Sequence, residues 1–283
     1  MAFILSGFAD EYSADFNEQL EGFQLLGIKN IELRFIDGEN VSVITDEKVD
    51  EIKEKLKSAK IGVSAIGSPI GKISIEDDFD THLKVAEKVF KLARELNCKY
   101  IRVFSFYLNG KERKLCFKQV CKRLGELLAL AEKFGVILCH ENEEGLYGQS
   151  PEQCFELLQY FGGKLRCVFD MGNFLLGGYS PENAYELLKN YVEYFHVKDA
   201  LKDGTIVPCG EGDAQIENIF CKYNEENPQK NVYVSLEPHL VDFVGLNALA
   251  THDLKKKVTF NDEKEAFTYA HKNLIKIIEK VNK

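Results

Sequence analysis

Short runs of apolar and β-branched residues recur along the chain at regular intervals. The runs are FILSGF (3–8), NIELRF (30–35), IGVSAI (61–66), KYIRVF (99–104), VILCHE (136–141), LRCVFD (165–170), YFHVKD (194–199) and VYVSLE (232–237). Their starts are roughly 27 to 38 residues apart, which is room for one strand, one helix and two loops. The pattern therefore predicts eight strands that alternate with helices.

The segments between the runs have a helical period instead. In DEKVDEIKEKLKSAK (46–60) the apolar residues Val49, Ile52, Leu56 and Ala59 follow a 3-4-3 spacing with charged residues elsewhere. Eight strand-helix units in 283 residues favour an α/β fold, a single (β/α)8 TIM barrel that spans residues 1–283 as one domain. The alternative is an open doubly wound sheet, but no glycine-rich phosphate motif follows the first run.

Composition and charge limit the partners and the cellular compartment that can be expected. The net charge of -9 comes from 45 acidic and 36 basic residues, so no nucleic-acid or membrane partner is expected. The apolar run at the N-terminus is too short for a signal sequence or a membrane span. Eight cysteines without a CxxC pair are typical of reduced, packed thiols, and we expect a cytoplasmic protein.

Four consecutive runs each have a side chain that can bind a metal, at the last residue in three of them and within the run 194–199 in the fourth. Barrel enzymes place their chemistry where the strands meet the following loops, at the carboxyl ends of the strands. The residues at these positions are Glu141, Asp170, His196 and Glu237. Three carboxylates and an imidazole form an oxygen-rich set that suits one divalent metal, Mn²⁺ or Mg²⁺, with Co²⁺ or Zn²⁺ as further options.

The placement of the two glutamates suggests proton transfer. Strands five and eight are three apart in a ring of eight, so Glu141 and Glu237 are expected to approach the barrel axis from nearly opposite sides. With a metal ion polarising a carbonyl, one carboxylate can remove a carbon-bound proton and the other can return it. We therefore predict that Glu141 and Glu237 are catalytic as well as metal-binding.

Further polar residues at the rim are candidates for substrate binding. Those on the strands are Glu32, Arg34 and Arg102, for which the structural alternative is a buried ion pair. Those that follow a strand are Lys198, Asp199 and His239, and His239 opens a long apolar loop (238–260) that is predicted to be a lid or a partner surface. His140 should point away from the axis, and His82, His252 and His271 are expected at the surface.

Six short motifs along the chain resemble the xylose isomerase-like TIM-barrel superfamily of sugar and sugar-phosphate isomerases and epimerases. They are GFADE, HEN, DMGN, HVKD, PCGEG and SLEP. The resemblance implies that Glu141, Asp170, His196 and Glu237 bind one divalent cation, commonly manganese. It also implies that Glu141 and Glu237 act as an acid/base pair through an enediolate, on a small-molecule carbohydrate substrate, in a chain that can form a homo-oligomer.

Two positions depart from the pattern of the ketose 3-epimerases in this superfamily. Asn173 stands where those enzymes usually have a histidine, and Lys202 stands where they have an arginine. Both residues remain polar and could contact substrate, but imidazole acid/base chemistry and the bidentate guanidinium are lost. The departures argue against a plain ketohexose 3-epimerase.

Several functions stay open at this stage. The leading hypothesis is a metal-dependent isomerase or epimerase of a sugar or keto-sugar derivative. The second is a lyase on the same scaffold, such as a keto-inositol dehydratase or a 3-keto-glycoside eliminase. An endonuclease-IV-like enzyme would need more histidines than six and a basic face, and a non-catalytic barrel is the remaining option.

Overall fold

The computed structural model describes residues 3–243 and 255–283. Eight parallel strands, one at each predicted run, form its main sheet. They are β1 (Phe3–Gly7), β2 (Asn30–Leu33), β3 (Gly62–Ile66), β4 (Tyr100–Val103), β5 (Ile137–Glu141), β6 (Arg166–Asp170), β7 (Val192–Val197) and β8 (Val232–Leu236). The helices around them are α1 (Phe16–Leu25), α2 (Asp46–Ala59), α3 (Phe79–Glu95), α4 (Arg113–Phe134), α5 (Pro151–Tyr160), α6 (Met171–Leu176), α7 (Pro181–Leu188), α8 (Ile216–Glu226) and α9 (Glu263–Val281).

The sheet curls into a nearly closed barrel. Each strand from β2 to β8 pairs in parallel with the next, and β8 pairs with β1 over the full length of β1. At the remaining seam β1 lies beside β2, and the Asn30 side-chain amide donates to the Leu5 carbonyl at 3.4 Å. The predicted (β/α)8 barrel is confirmed, and the pairing of β1 with β8 rules out the open sheet.

The outer helices begin and bury side chains as their sequences indicate. Thr45 caps the start of α2 by accepting from the Lys48 N–H, and Lys60 ends the helix in the left-handed conformation. Val49, Ile52 and Leu56 are buried, so the predicted apolar stripe faces the barrel. Within the described residues, none of the helices has the length and apolarity that crossing a bilayer requires.

All eight cysteines lie in the described residues as free thiols, and only Cys221 is more than slightly exposed. Two histidines differ from expectation: His82 and His271 are buried, not at the surface. His82 Nε2 accepts from the Gly71 N–H at 2.9 Å, which satisfies one of its ring nitrogens inside the protein. His252 and positions 244–254 of the predicted lid loop lie outside the described residues.

Candidate metal centre

The structure brings together the four side chains that the strand ends predicted. Glu141 and Asp170 are the last residues of β5 and β6, His196 lies near the end of β7, and Glu237 directly follows β8. One ligand atom from each of the four lies within 4.8 Å of all the others, and all four residues are buried. Because parallel strands end at the same rim, four separate stretches of sequence meet at one point.

The imidazole of His196 lies at the centre of this group. Its Nδ1 atom is 2.7 Å from Glu141 Oε1 and 3.3 Å from Glu237 Oε2. Its Nε2 atom is 3.1 Å from Glu32 Oε2, and the Tyr194 hydroxyl donates to Glu32 Oε1 at 3.0 Å. A carboxylate behind a histidine fixes the ring and raises its basicity, which is the arrangement around histidine ligands of metals.

Three carboxylate oxygens in the group accept no hydrogen bond. Among the described residues, Glu141 Oε2, Asp170 Oδ2 and Glu237 Oε2 are buried and have no hydrogen-bond partner. Buried carboxylate oxygens are costly unless a donor or a cation compensates them. Each of the three has only a cationic side chain at 3.2 to 3.4 Å, namely Arg102, Lys198 or His196. Three such oxygens beside an imidazole nitrogen fit a divalent cation that prefers oxygen ligands, with Zn²⁺ also compatible.

Arg34, directly after β2, contacts Glu237, directly after β8. Its Nη1 donates to Glu237 Oε1 at 2.7 Å, while its Nε and Nη2 donate to Asp10 and Glu11 at 2.9 and 3.1 Å. The guanidinium carbon is 4.1 Å from the centroid of the Phe8 ring. The arginine is fully buried and each of its three nitrogens donates to a carboxylate, so one oxygen of Glu237 is fixed in place.

Arg102 contacts the other glutamate. Its Nη1 is 3.2 Å from Glu141 Oε2, and its Nη2 and Nε donate to the Gly67 and Ser68 carbonyls at 3.1 and 3.4 Å. This arginine therefore balances one carboxylate, and it is otherwise bound to neutral groups. Glu141 and Glu237 each have a buried arginine of their own.

Asp170 is positioned by two asparagines. The Asn142 side chain accepts from the Asp170 N–H at 3.3 Å and donates to the Asp170 carbonyl at 3.0 Å. Asp170 Oδ1 accepts from the Asn173 N–H at 2.7 Å and caps α6, while the Asn173 amide donates to the Asn142 carbonyl at 3.0 Å. One Asp170 oxygen is thus used in the cap, whereas Oδ2 accepts no hydrogen bond and has the Lys198 ammonium at 3.4 Å.

The carboxylates of the group differ in their acidity. Burial acts to raise the pKa of Glu141, but His196 and Arg102 outweigh it and hold that pKa at about 2. Burial raises the pKa of Asp170 to about 7, against the opposing effect of Lys198. Glu141, which lies close to His196 and Arg102, therefore stays ionised, whereas Asp170, for which burial dominates, binds a proton more readily.

The same charges act on His196 and Glu237. Burial acts to lower the pKa of His196, yet the carboxylates Glu32 and Glu141 raise it well above its ordinary value. The pKa of Glu237 lies well below its ordinary value because Lys198 and His239 outweigh the effect of burial. The centre therefore has a negative field that favours positive charge at Nδ1, from a proton or from a metal ion.

The remaining predicted site residues lie in different surroundings. Asp199 accepts from four backbone N–H groups, those of Ala200, Gly210, Gly212 and Ala214, at 2.8 to 3.1 Å. It holds the PCGEG loop, in place of the substrate contact that we predicted. Lys202 is exposed in a turn, and the structure does not bring it to the four ligands.

His239 lies at the edge of the centre. Its Nε2 atom is 3.1 Å from Glu237 Oε1 and 3.4 Å from Glu11 Oε1. Its backbone has a positive φ of 51°, and its N–H donates to Glu11 Oε2 at 2.8 Å. The contact with Glu11 compensates a conformation that is unfavourable for a residue with a side chain.

Sequence reasoning missed three residues of this network. Asp10 and Glu11 belong to the GFADE motif and Asn142 to the HEN motif, but no role was predicted for them. The sequence did contain a signal for Asp10 and Glu11. They form a pair of acidic residues directly after β1, at the rim of a barrel that has two arginines on other strands. The partners could not be assigned because Asp10 and Arg34 follow different strands and meet only when the barrel has folded.

Comparisons with known proteins agree with this fold. A family model described as xylose isomerase-like TIM barrel matches residues 24–253. No curated protein matches the sequence.

Similar solved structures extend over nearly the whole chain. The IOLI protein with a bound zinc atom has a TM-score of 0.76 at 17% identity, covering 99% of both chains. The probable 3-DHS dehydratase AsbF from Bacillus anthracis has a TM-score of 0.74 at 17% identity, covering 97% of this chain and 99% of its own. The D-allulose 3-epimerase from Methylomonas sp. in complex with D-allulose has a TM-score of 0.74 at 12% identity, covering 97% and 96%.

Proposed function

The chain belongs to the xylose isomerase-like TIM-barrel family, and we propose that it is a divalent-metal-dependent isomerase or epimerase of a sugar or keto-sugar derivative. One observation carries the proposal: buried oxygens of Glu141, Asp170 and Glu237 that accept no hydrogen bond converge beside His196 Nδ1. These four residues would hold one ion, and their oxygen-rich donor set suits Mn²⁺ best.

Each ligand residue would bind the ion through an atom that lies within the group of four. His196 would use Nδ1, because its Nε2 faces Glu32. A bound divalent ion supplies Lewis-acid polarisation of a substrate carbonyl, which acidifies the neighbouring C–H bond. The protein's own contribution is to hold ionised bases next to that bond and to keep them oriented.

Glu141 and Glu237 are the bases in this proposal. Their pKa values lie below the ordinary range, so both are ionised near neutral pH and able to accept a carbon-bound proton. Arg102 and Arg34 orient them, since each arginine contacts one glutamate. Transfer of the proton from one carbon to its neighbour gives isomerisation, and return of a proton to the opposite face gives epimerisation.

The residues around the ligands divide into substrate contacts and supports. Asn173, Lys198 and His239 are the proposed substrate contacts, because they lie at the rim beside the ligands. Glu32 and Arg102 were predicted to bind substrate, but their polar atoms contact His196 and Glu141 instead. We now assign both to positioning those ligands.

A metal-dependent lyase is the second candidate. It is favoured by the dehydratase among the structures similar to this chain. Both reactions begin by removing a proton next to a carbonyl, so the same four ligands and the same bases would serve. They differ in the next step, in which a lyase expels a leaving group from the adjacent carbon.

Metal content and hydrogen exchange test the proposal together. We expect the purified protein to bind one equivalent of Mn²⁺ and to exchange deuterium from D₂O into one or more members of a panel of keto-sugars. Glu141→Gln and Glu237→Gln should each reduce the rate of deuterium exchange by ~100-fold or more, because a general base usually contributes at least this factor to a rate. A product that absorbs as an α,β-unsaturated ketone would favour the lyase instead.

A matched control separates these effects from a general loss of charge. Glu21 is exposed on α1, and Glu21→Gln should leave metal binding and exchange unchanged. A wild-type protein that binds no divalent metal and is indifferent to Glu237→Gln would contradict the enzymatic proposal.

A further inference from the structure

Lys198 lies beside the candidate ligands without being saturated by them. Its side chain is only 5% exposed, and its Nζ is 3.4 Å from Asp170 Oδ2 and 3.8 Å from Glu237 Oε2. Charge-assisted N–H···O bonds are about 2.7 to 2.9 Å long. The ammonium is therefore held next to two carboxylates at distances longer than well-formed hydrogen bonds.

Gly172 allows the lysine to approach Asp170. A Cβ atom at position 172 would lie 2.8 Å from the Lys198 carbonyl oxygen and 2.9 Å from the Lys198 Cβ. Gly172 is the second residue of α6, which begins directly after Asp170. The lack of a side chain there lets the end of β7 pack against the start of α6, so that Asp170 and Lys198 come together.

The acidic side chains of the centre attract an ammonium to this point, but the two oxygens nearest to Lys198 Nζ accept no hydrogen bond from it. Burying an ammonium is costly unless its partners compensate it. The two nearest oxygens are the same atoms that would bind the metal ion, so a bound ion would repel the lysine. A positive charge here is useful when new negative charge appears between the ion and the lysine, on the substrate.

We propose that Lys198 is a further catalytic residue, whose ammonium donates a hydrogen bond to the substrate oxygen that becomes negative during deprotonation. The inference rests on the proposed function. In that step the C–H bond breaks and its proton moves to a glutamate carboxylate. The electron pair forms a C=C bond and displaces the carbonyl π electrons onto oxygen. Lys198 keeps its proton and stabilises that oxygen electrostatically.

The proposal agrees with the substrate class of the proposed function. An α-hydroxy ketone or aldehyde has oxygen acceptors both on the carbonyl carbon and next to it, and the ammonium of Lys198 could donate to either. A site built to donate to a substrate oxygen discriminates strongly against an analogue that lacks it. Removal of the α-hydroxyl should therefore weaken binding more than removal of a distant one.

Oxalate is a suitable probe because it is a planar dianion with adjacent oxygens and needs no turnover. Calorimetry would measure the binding of Mn²⁺, and then the binding of oxalate to the Mn²⁺-loaded protein. We expect Lys198→Met to bind Mn²⁺ as tightly as wild type or more tightly, and to bind oxalate at least 10-fold more weakly. Lys198→Arg should retain part of the oxalate affinity, since it keeps the charge.

Controls make the outcomes separable. Lys118 is exposed on α4, and Lys118→Met should bind Mn²⁺ and oxalate like wild type. Unchanged oxalate affinity in Lys198→Met, or loss of its Mn²⁺ binding, would overturn the role of Lys198 and leave the proposed function standing. A wild-type protein that binds no Mn²⁺ would overturn both.

Discussion

The two halves of the barrel rim contribute different kinds of residue to the site. The ligand half, at the ends of β5 to β8, has the four candidate ligands Glu141, Asp170, His196 and Glu237. The support half, at the ends of β1 to β4, has no member of this group but contains Glu32, Arg34 and Arg102. Each of these three contacts a ligand residue of the other half.

Three of the four ligand residues each have one partner in the support half. Glu237 is held by Arg34, Glu141 by Arg102 and His196 by Glu32. Asp170 is the exception, because asparagines of its own half position it. In this barrel, one half would bind the cation and the other half mainly orients the ligand residues. Substitutions in the two halves should therefore fail in different ways.

The largest effect is expected in the ligand half. Asp170→Asn removes a charged ligand while keeping the shape of the side chain. We expect Mn²⁺ affinity to fall by more than the ~100-fold that changes around a ligand cause. Calorimetric titration measures this, and Asp203→Asn, at an exposed position, is the control. Retained Mn²⁺ affinity in Asp170→Asn would remove the residue from the ligand set.

Substitutions in the support half should mainly lower the free energy of unfolding. Arg34→Met leaves Asp10, Glu11 and Glu237 buried without their shared cation. Removing one partner of a buried ion pair costs about 3–5 kcal/mol, and we expect a loss of this order in urea unfolding. Arg102→Met should cost less, because its other acceptors are neutral carbonyls. An equal or larger cost for Arg102→Met would contradict this account.

The two halves also differ in how far the sequence predicts them. Strand periodicity identified all eight strands, and the last residue of a strand has a fixed place at the rim, so Glu141 and Asp170 could be assigned from position alone. The role of Arg34 depends on Asp10, Glu11 and Glu237 meeting in three dimensions, 23 or more positions apart in sequence. Local pattern contains no information about such contacts.

A neutral histidine supports the loop that binds Arg102. His82 accepts from the Gly71 N–H, in the loop whose Gly67 and Ser68 carbonyls bind Arg102. Burial, together with Arg123, lowers the pKa of His82 to about 4. Because the folded protein resists protonation of this ring, His82 stabilises the fold fully above its ordinary pKa, near 6.5. That contribution is lost as the pH falls from about 6.5 to about 4.

The test is the pH dependence of unfolding in wild type and in His82→Gln. A shift of one pKa unit corresponds to about 1.4 kcal/mol, so the wild-type protein should lose up to ~3 kcal/mol more than the variant over this range. Taking the difference between the two proteins cancels the carboxylates that titrate in the same range. Parallel stability profiles would show that His82 does not titrate differently on folding.

The substitution with the smallest expected effect, Glu32→Gln, tests most directly whether the support half acts on the ligand half. Glu32 faces His196 Nε2 at 3.1 Å and accepts from the Tyr194 hydroxyl. Glu32→Gln keeps an acceptor oxygen but removes the negative charge that makes the imidazole a stronger donor to the metal. We expect Mn²⁺ affinity to fall ~10- to 100-fold, as for other residues that support a ligand, by calorimetric titration at fixed pH.

The matched control is Glu39→Gln, an exposed position in the same half, which should bind Mn²⁺ like wild type. Tyr194→Phe should have a smaller effect than Glu32→Gln, because it removes one hydrogen bond to Glu32 and leaves the carboxylate charge in place. If Glu32→Gln bound Mn²⁺ as tightly as wild type, Glu32 would not tune the ligand half. Its buried carboxylate would then serve only the packing of Tyr194 and His196 within the barrel.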